Sequence, residues 1–448
     1  MLRRKKMTND KSKKIIFLEK ILKGMAVLVL KKYNPKVISI TGSVGKTSAK
    51  EAICAVMASK FRVRKTEKNY NNEVGLPLTI IGAESGENSI ARWILVFLKW
   101  FWVMIAPIEY PEVLILEMGA DRPGDISYLT SFIKSHVGII TDFSHSHIEF
   151  FKNVEGVAKE KSVLAKRLDE KGLAIINVDN PHVAKLKDQL KCNVITFGFS
   201  EPAEMRATDI NFAYAERKRQ LRGLSFKLNY KGTTLPVRLN SVLAKHQIYS
   251  ALAAVAAGTG FGINLVEASA ALENFSLPLG RMNLIPGMKN SYIIDDTYNA
   301  SPVSTAAAID VLNEILSSEE KKSKKIIILG DMLELGSEEN EKHREIGRKI
   351  FETGCDFFFV VGKRMKLAGE EIIAMGFPQK RVFYFSNPME AGKKAGELIE
   401  EGDFVLVKGS QGMRMEKVVE QIMQKPEEAE KLLCRQNRHW KETVWKKV

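Results

Sequence analysis

The stretch Ile38-Ser39-Ile40-Thr41-Gly42-Ser43-Val44-Gly45-Lys46-Thr47-Ser48 links a short apolar run to a helix-prone run through a turn that holds two glycines. That is the setting a phosphate loop requires. Gly42 and Gly45 let backbone N–H groups from Ser43, Val44 and the residues up to Ser48 close around phosphate oxygens. Lys46 brings a point charge to the β- and γ-phosphates, and the Thr47 hydroxyl can reach a Mg2+ ion. Ile40 stands where the standard pattern has its first glycine, so the motif is a variant. Strand, turn and helix together nevertheless make ATP with Mg2+ the expected ligand.

Elements must position that loop. Strands are readable at 37–40, 113–116, 137–141 and 173–177, with helical stretches such as 47–58 between them, which predicts a mostly parallel α/β sheet. Glu117, ending the second of these strands, and His147, just beyond the third, would then project at the carboxyl edge of the sheet beside the phosphate loop. Alternating runs at 224–228 and 234–239 predict antiparallel strands at one edge. The breakers Pro278-Leu279-Gly280-Arg281 mark a boundary. Beyond them, strands at 292–294, 325–329, 357–361 and 404–407 predict a second, Rossmann-like α/β sheet. The expected division is a basic amphipathic segment at 1–35, a P-loop ATPase domain at 36–277 and a C-terminal domain at 278–448.

A chain of 448 residues exceeds what one core supports, and 45% apolar with 27% charged residues fits a globular protein rather than a disordered or multi-span one. The formal charge of +15 favours anionic company: nucleic acid, a membrane surface or a phosphorylated small molecule. Much of the excess lies at the two ends, including Arg435, and reads as solvated tails. Cys54, Cys192, Cys355 and Cys434 form no CxxC pair, which leaves a zinc ribbon or a disulfide scaffold unsupported and points to the reducing cytoplasm. Residues 15–33 read as an amphipathic helix that either packs on the next domain or lies on a membrane. Residues 91–106 are almost wholly apolar apart from Arg92 and Lys99, seven apart on one helix face. They are too short to span a bilayer comfortably, so the segment is either buried, covered by a partner or in peripheral contact with a membrane.

The loop at 41–48 resembles that of the Mur ligase family. Further segments resemble the family's MurF type in the expected order: Asn69-Tyr70-Asn71-Asn72-Glu73-Val74-Gly75, Leu116-Glu117-Met118-Gly119-Ala120, Arg122-Pro123-Gly124-Asp125, Thr141-Asp142-Phe143-Ser144-His145-Ser146-His147, Gly280-Arg281-Met282, Asp295-Asp296-Thr297-Tyr298-Asn299, Gly330-Asp331-Met332-Leu333-Glu334 and Lys408-Gly409-Ser410. Several motifs in register are far more specific than any one of them. The resemblance implies an ATP-dependent carboxylate–amine ligase that works through an acyl phosphate, adding D-Ala-D-Ala to a UDP-MurNAc-tripeptide in peptidoglycan precursor synthesis.

It also implies roles. Thr47 and Glu117 would hold the ion on the ATP phosphates, and His147 would help hold a second. Lys161, carbamylated by CO2, would serve that second ion, with Lys159 as the fallback. Asn71 and Asn72 would lie near the acceptor, Arg281 would turn toward phosphate and Asp296 toward ribose as the C-terminal domain closes, and Lys408 and Ser410, with Asp331 and Glu334, would line the pocket for the incoming amine. Substrates would be an anionic carboxylate acceptor and an amino acid or dipeptide, with no nucleic acid, and the protein would be a monomer. Some positions depart from the pattern. The UDP-gripping domain usual in the MurF type has no counterpart in the 35 residues before the first strand. His246-Gln247 and Ser250 replace the usual His-Asn and Asn, and Gln411 replaces an Arg. Two rivals therefore stand beside the MurF expectation: a Mur-type ligase with a different, lipid-linked acceptor, and a non-catalytic nucleotide-dependent membrane scaffold.

Overall fold

A computed structural model of the chain describes residues 13–67, 70–87, 89–144, 148–215, 220–317, 323–437 and 440. Two compact units divide it: the first runs to Asp209 and takes in Phe226–Val237 and His246–Phe275, and the second holds Ile210–Ser225, Arg238–Lys245 and the chain from Ser276 onward.

Fifteen strands in the described residues form two sheets. The first contains β1 (Lys36–Thr41), β2 (Val63–Lys65), β3 (Val113–Glu117), β4 (Val137–Ile140), β5 (Leu173–Asn177), β6 (Asn193–Gly198), β7 (Met205–Ala215), β8 (Gln220–Tyr230) and β9 (Thr233–Asn240), in the order β2-β3-β1-β4-β5-β6-β7-β8-β9. Pairing is parallel from β2 through β7. Strands β3 and β4 are buried along their whole length, as expected of a parallel sheet covered on both faces. Lys231 and Gly232 both have positive φ, 48° and 80°, so the two-residue link between β8 and β9 makes the predicted antiparallel hairpin.

The second sheet contains β10 (Asn283–Pro286), β11 (Tyr292–Asp296), β12 (Lys325–Gly330), β13 (Phe357–Val361), β14 (Val382–Phe385) and β15 (Phe404–Lys408), in the order β10-β11-β15-β12-β13-β14. Only the β10–β11 pair is antiparallel. Apolar layers cover both faces, one around Ile309, Leu312 and Phe358, the other around Phe359, Val405 and Val419. The α/β fold class expected from the sequence is thus observed.

Seven α-helices precede β5 among the described residues: α1 (Lys13–Tyr33), α2 (Lys46–Ala58), α3 (Gly75–Ile81), α4 (Ile90–Ile105), α5 (Asp125–Thr130), α6 (Ile148–Phe151) and α7 (Val154–Lys166). α2 packs on the helix Ile248–Gly260, whose residues 251–257 are all buried. That approach is close: a Cβ on Gly258 would stand 2.7 Å from Val56. α1 takes the packed alternative, with Leu22 and Met25 against Leu78 and Ile81 of α3 and Val96 of α4.

One alternative for residues 91–106 is excluded, and one expectation fails. α4 is not buried, since only Val96 and Val103 of its sixteen residues are, although no helix among the described residues is long and apolar enough to cross a membrane. Arg435 is not part of a solvated tail: it is 9% exposed and ion-paired with the fully buried Glu416.

Candidate active site

The phosphate loop leaves the centre of the first sheet. β1 lies between β3 and β4, with Ile40 opposite Glu117 and Thr41 opposite Ile140, so the turn after Thr41 emerges at the carboxyl edge. Gly42 is required by close approach, because a Cβ there would lie 2.0 Å from Thr141 Oγ1. Gly45, at φ 82°, turns the chain into α2 in the left-handed region, and no side chain caps that helix. Its first N–H groups lie at the positive end of the helix dipole, the setting that favours an anion. The turn is clamped from the side: Ser43 N donates to Asp142 O at 2.8 Å, Ser43 Oγ to Ser144 O at 3.0 Å, and Thr141 Oγ1 to Val44 O at 2.6 Å. The Lys46 ammonium folds over its own loop, donating to the carbonyls of Gly42 (2.7 Å) and Ser43 (3.2 Å). These features fit a nucleotide's phosphate tail.

Glu117 ends β3 at 6% exposure, and its N–H donates to Thr66 Oγ1 at 3.0 Å. Its Oε2 lies 3.9 Å from the Nζ of Lys50, a lysine only 2% exposed that also lies 3.4 Å from Glu51 Oε1. Lys50 follows Thr47 by three positions, so both sit on one face of α2. A hydroxyl and a carboxylate on this side of the loop are hard oxygen donors that suit Mg2+, with phosphate oxygens completing the shell. Lys50 was missed in the sequence; its signal was a lysine on the helix face that must pack on the sheet. Among the described residues no three His, Cys, Asp or Glu side chains cluster tightly enough to hold a metal. His147 lies outside the described residues.

Lys161 sits on α7 at 2% exposure, whereas Lys159 is exposed. Burial lowers the Lys161 ammonium to about 8; Lys46 pushes it the same way, against Asp121, Glu160 and Asp125. Lys46 and Lys161 are therefore electrostatic neighbours. The acidic loop beside them is built in: Glu160 accepts from Gly124 N (2.9 Å) and Ile126 N (2.8 Å), and Asp125 Oδ2 from Asp121 N and Arg122 N. Asn71 O accepts from Gly119 N at 2.9 Å, two residues after Glu117. The Asn72 side chain holds the turn into α3, its Oδ1 accepting from Val74 N and Gly75 N.

In the second unit the expected residues gather at the carboxyl ends of β11, β12 and β15. Lys408, 2% exposed, donates to Asp296 Oδ2 at 2.6 Å and to Asn299 O at 2.9 Å. Ser410 Oγ accepts from Leu333 N at 2.8 Å and donates to Ala300 O at 3.3 Å. Asp331 is 0% exposed, its carboxylate accepting from Arg364 N and Met365 N, and burial raises its pKa. Its side chain thus holds the 364–365 turn. Glu334 is exposed at φ 66°, and the exposed Arg281 guanidinium lies 4.4 Å from the centre of the Tyr298 ring. Beside them is a network the sequence did not announce: Glu416, 0% exposed, pairs with Arg414 (2.5 Å) and Arg435 (2.7 Å), and Arg435 also donates to the carbonyls of Thr297 and Tyr298.

The Mur ligase middle domain profile matches residues 40–93 and 103–258, and that of the Mur ligase, glutamate ligase domain matches 280–411. The UDP-N-acetylmuramoyl-tripeptide–D-alanyl-D-alanine ligase of Bacillus subtilis is 31% identical over 405 residues, 90% of this chain and 79% of the relative. That of Escherichia coli is 28% identical, over 89% of this chain and 79% of the relative. Among solved structures, MurF from Acinetobacter baumannii superposes with a TM-score of 0.74 at 25% identity, covering 91% of this chain and 81% of that one. The MurF ligase of Thermotoga maritima in complex with ADP gives 0.69 at 25% identity, covering 92% and 84%.

Proposed function

Because the chain belongs to the Mur ligase family and to its MurF type, we propose that it joins D-Ala-D-Ala to the carboxylate of a UDP-MurNAc-tripeptide at the expense of ATP, in peptidoglycan precursor synthesis. The observation that carries this reading is the uncapped start of α2 behind the Gly42–Thr47 turn, with Glu117 opposite Ile40 at the same sheet edge.

The chemistry asks for two steps. A carboxylate oxygen attacks the γ-phosphorus, giving an acyl phosphate and ADP. The neutral amine then attacks the acyl carbon, phosphate leaves and the nitrogen loses a proton. Each step brings anions together, so cations and fixed N–H donors must offset repulsion and align the groups. In this reading the N–H groups from Val44 to Ser48 cradle the phosphates, Ser43 N–H holds the turn through Asp142 O, and Lys46 leaves its loop carbonyls to reach them. Thr47 and Glu117, with His147, are the residues that would hold Mg2+, which supplies charge neutralisation on phosphate when bound. Lys161 is buried with a pKa of about 8, which makes its neutral, CO2-reactive fraction at neutral pH far larger than that of an ordinary lysine; the resulting carbamate oxygen would replace a repelling ammonium beside Lys46.

We assign 36–277 and 278–448 as the working domains. In the second, Asp296 and Arg281 are assigned to the nucleotide, and Lys408, Ser410 and Glu334 to the incoming amine, with Asp331 acting through the turn it holds. Asn71 and Asn72 are assigned to the acceptor side. The protein works as a single copy in the cytoplasm, at the inner face of the membrane.

Phosphate release with UDP-MurNAc-tripeptide and D-Ala-D-Ala, against a Lys46→Ala blank, tests the reading. Turnover should require both substrates and vanish in the blank. Turnover equal in the blank, or stimulated only by DNA or RNA, overturns it.

A further inference from the structure

α4 presents a broad apolar face to solvent. Its inward stripe, Val96, Trp100 and Val103, rests on α1 and the core, and Trp100 Nε1 donates to Met25 O at 3.1 Å. Opposite that stripe, Ile90, Ile94, Leu98, Phe101, Trp102 and Ile105 are all more than half exposed, from 53% for Ile94 to 80% for Ile90. A contiguous patch of this kind marks an interaction site. Residues 94–102 fall between the two segments matched by the Mur ligase middle domain profile, so the family's common core does not account for them.

We propose that this face lies in the plane of an anionic phospholipid bilayer, with its side chains in the acyl boundary and Arg92 and Lys99 at the lipid phosphates. This rests on the membrane placement proposed for the protein and not on its ligase chemistry. Four observations favour lipid. The helix has sixteen residues, roughly 24 Å at 1.5 Å per residue, which suits lying in the interface and falls short of crossing it. Trp102 is a residue type that settles at headgroup depth, and Phe101 one that enters the acyl boundary beside it. Arg92 and Lys99 stand seven apart on the border between the exposed arc and the inward stripe, where long stems reach up to phosphates while the arc points into the acyl layer. Both line an open cavity of about 540 Å3 with Gly82, Ala83, Glu84 and Ser85, room for a headgroup. The fourth is charge: the chain carries +15, and the neighbouring α1 exposes Lys20 and Lys31. That attracts an anionic leaflet and opposes a second copy of the same chain.

The test is co-sedimentation of the full chain with vesicles of phosphatidylglycerol and phosphatidylcholine in equal parts, and of phosphatidylcholine alone. Binding should be about tenfold or more stronger to the anionic vesicles and weaken with salt. Leu98→Glu with Phe101→Glu, both solvent-exposed positions, should remove at least about tenfold of it while the melting temperature and phosphate release in solution stay unchanged. Arg92→Glu with Lys99→Glu should weaken the anionic preference severalfold, the remaining attraction coming from the basic chain as a whole. Brominated acyl chains should quench the tryptophan emission, and less so in Trp102→Phe. No vesicle binding, binding untouched by the Leu98/Phe101 pair, or concentration-dependent dimerisation lost in that pair would each overturn the proposal. Loss of ligase turnover with vesicle binding intact would overturn only the ligase reading.

Discussion

The Lys50 ammonium lies 3.9 Å from the Glu117 carboxylate, and both side chains are almost out of solvent. A carboxylate so buried needs a cation beside it. Lys50 supplies one, and a divalent ion arriving with ATP phosphates would take over that task. Lys50→Met should therefore cost the ligand-free protein about 3 kcal/mol, and much of the loss should return on adding Mg2+ with a non-hydrolysable ATP analogue. Melting curves with and without that ligand decide it. An equal loss in both would make Lys50 a packing residue only.

Gly42 makes a second point on the same loop. A methyl there would stand 2.0 Å from Thr141 Oγ1, which itself clamps Val44 O. Gly42→Ala must displace the loop, so ADP affinity measured by calorimetry should fall by about a hundredfold, the scale of a few lost charge-assisted hydrogen bonds. Adding Thr141→Ala removes the closest clash, leaving Asp142 N at 3.0 Å, but also removes the clamp, and should recover part of the affinity. Unchanged binding in Gly42→Ala would show that the turn does not carry the phosphates.

Lys161 and Lys159 are separable by pH. A carbamate forms from the neutral amine, and burial with Lys46 nearby holds the Lys161 ammonium at about 8, so its neutral fraction falls steeply as pH drops below that value. An ordinary lysine at pH 7.5 is only about one part in a thousand neutral. With 13C-labelled CO2 at fixed dissolved concentration, a carbamate carbonyl resonance should grow from pH 6.5 toward about 8.5 and level off, the shape set by a base with that shifted pKa. Lys161→Arg should erase the signal and the activity, and Lys159→Arg should erase neither. A signal surviving Lys161→Arg would move the assignment.

Much of this was legible beforehand, and the reasons are local. Strands β1, β3, β4 and β5 are mainly apolar runs, interrupted in β1 by Ser39 and in β4 by Gly138, and the runs within β11, β12, β13 and β15 carry the second sheet in the same way, so short apolar length between breakers located them. β2 has three residues, Val63-Arg64-Lys65, and β6 and β14 are short or mixed in character, which is why they were not read. The phosphate loop was visible because strand, turn and helix are contiguous in sequence. Lys50, Glu416 and Arg435 were not, because their partners are set by tertiary contact: 67 positions separate Lys50 from Glu117 and 19 separate Glu416 from Arg435. Arg435 in particular looks like any basic tail residue until the fold brings Glu416 to it.

That network predicts its own fragility. Glu416 is 0% exposed and balances two guanidinium groups, Arg414 and Arg435, the second of which also holds the carbonyls of Thr297 and Tyr298. Glu416→Gln keeps the shape and removes the charge, leaving two buried cations uncompensated at a cost of about 3 kcal/mol or more. Chemical denaturation measures the cost, and limited proteolysis should show cleavage near Arg435 that the parent protein resists. Full resistance in the variant would mean the tail is held by packing alone.

Asp295, beside Asp296 at the end of β11, is the group whose titration should be visible in stability. It is 0% exposed; one carboxylate oxygen accepts from Thr297 Oγ1 (2.6 Å) and Thr297 N (3.2 Å), and the other has no partner in the structure. Burial pushes its pKa up from 3.8 to about 7, with Asp296 adding to the rise and Arg435 opposing it. Between those two values the folded protein still holds a proton that the unfolded chain has released. Stability contributed at this position is therefore greatest at or below the unfolded value and is lost as pH rises toward 7, then stays flat. Asp295→Asn keeps an acceptor for Thr297 and removes the titration. The variant should match the parent near pH 4 and exceed it at pH 8, by at most about 4 kcal/mol on the scale of that shift. Denaturant midpoints at the two pH values check the sign. A parent protein more stable than Asp295→Asn at pH 8 would mean that the ionised carboxylate is held favourably, by Arg435 above all, and that burial does not dominate at this site.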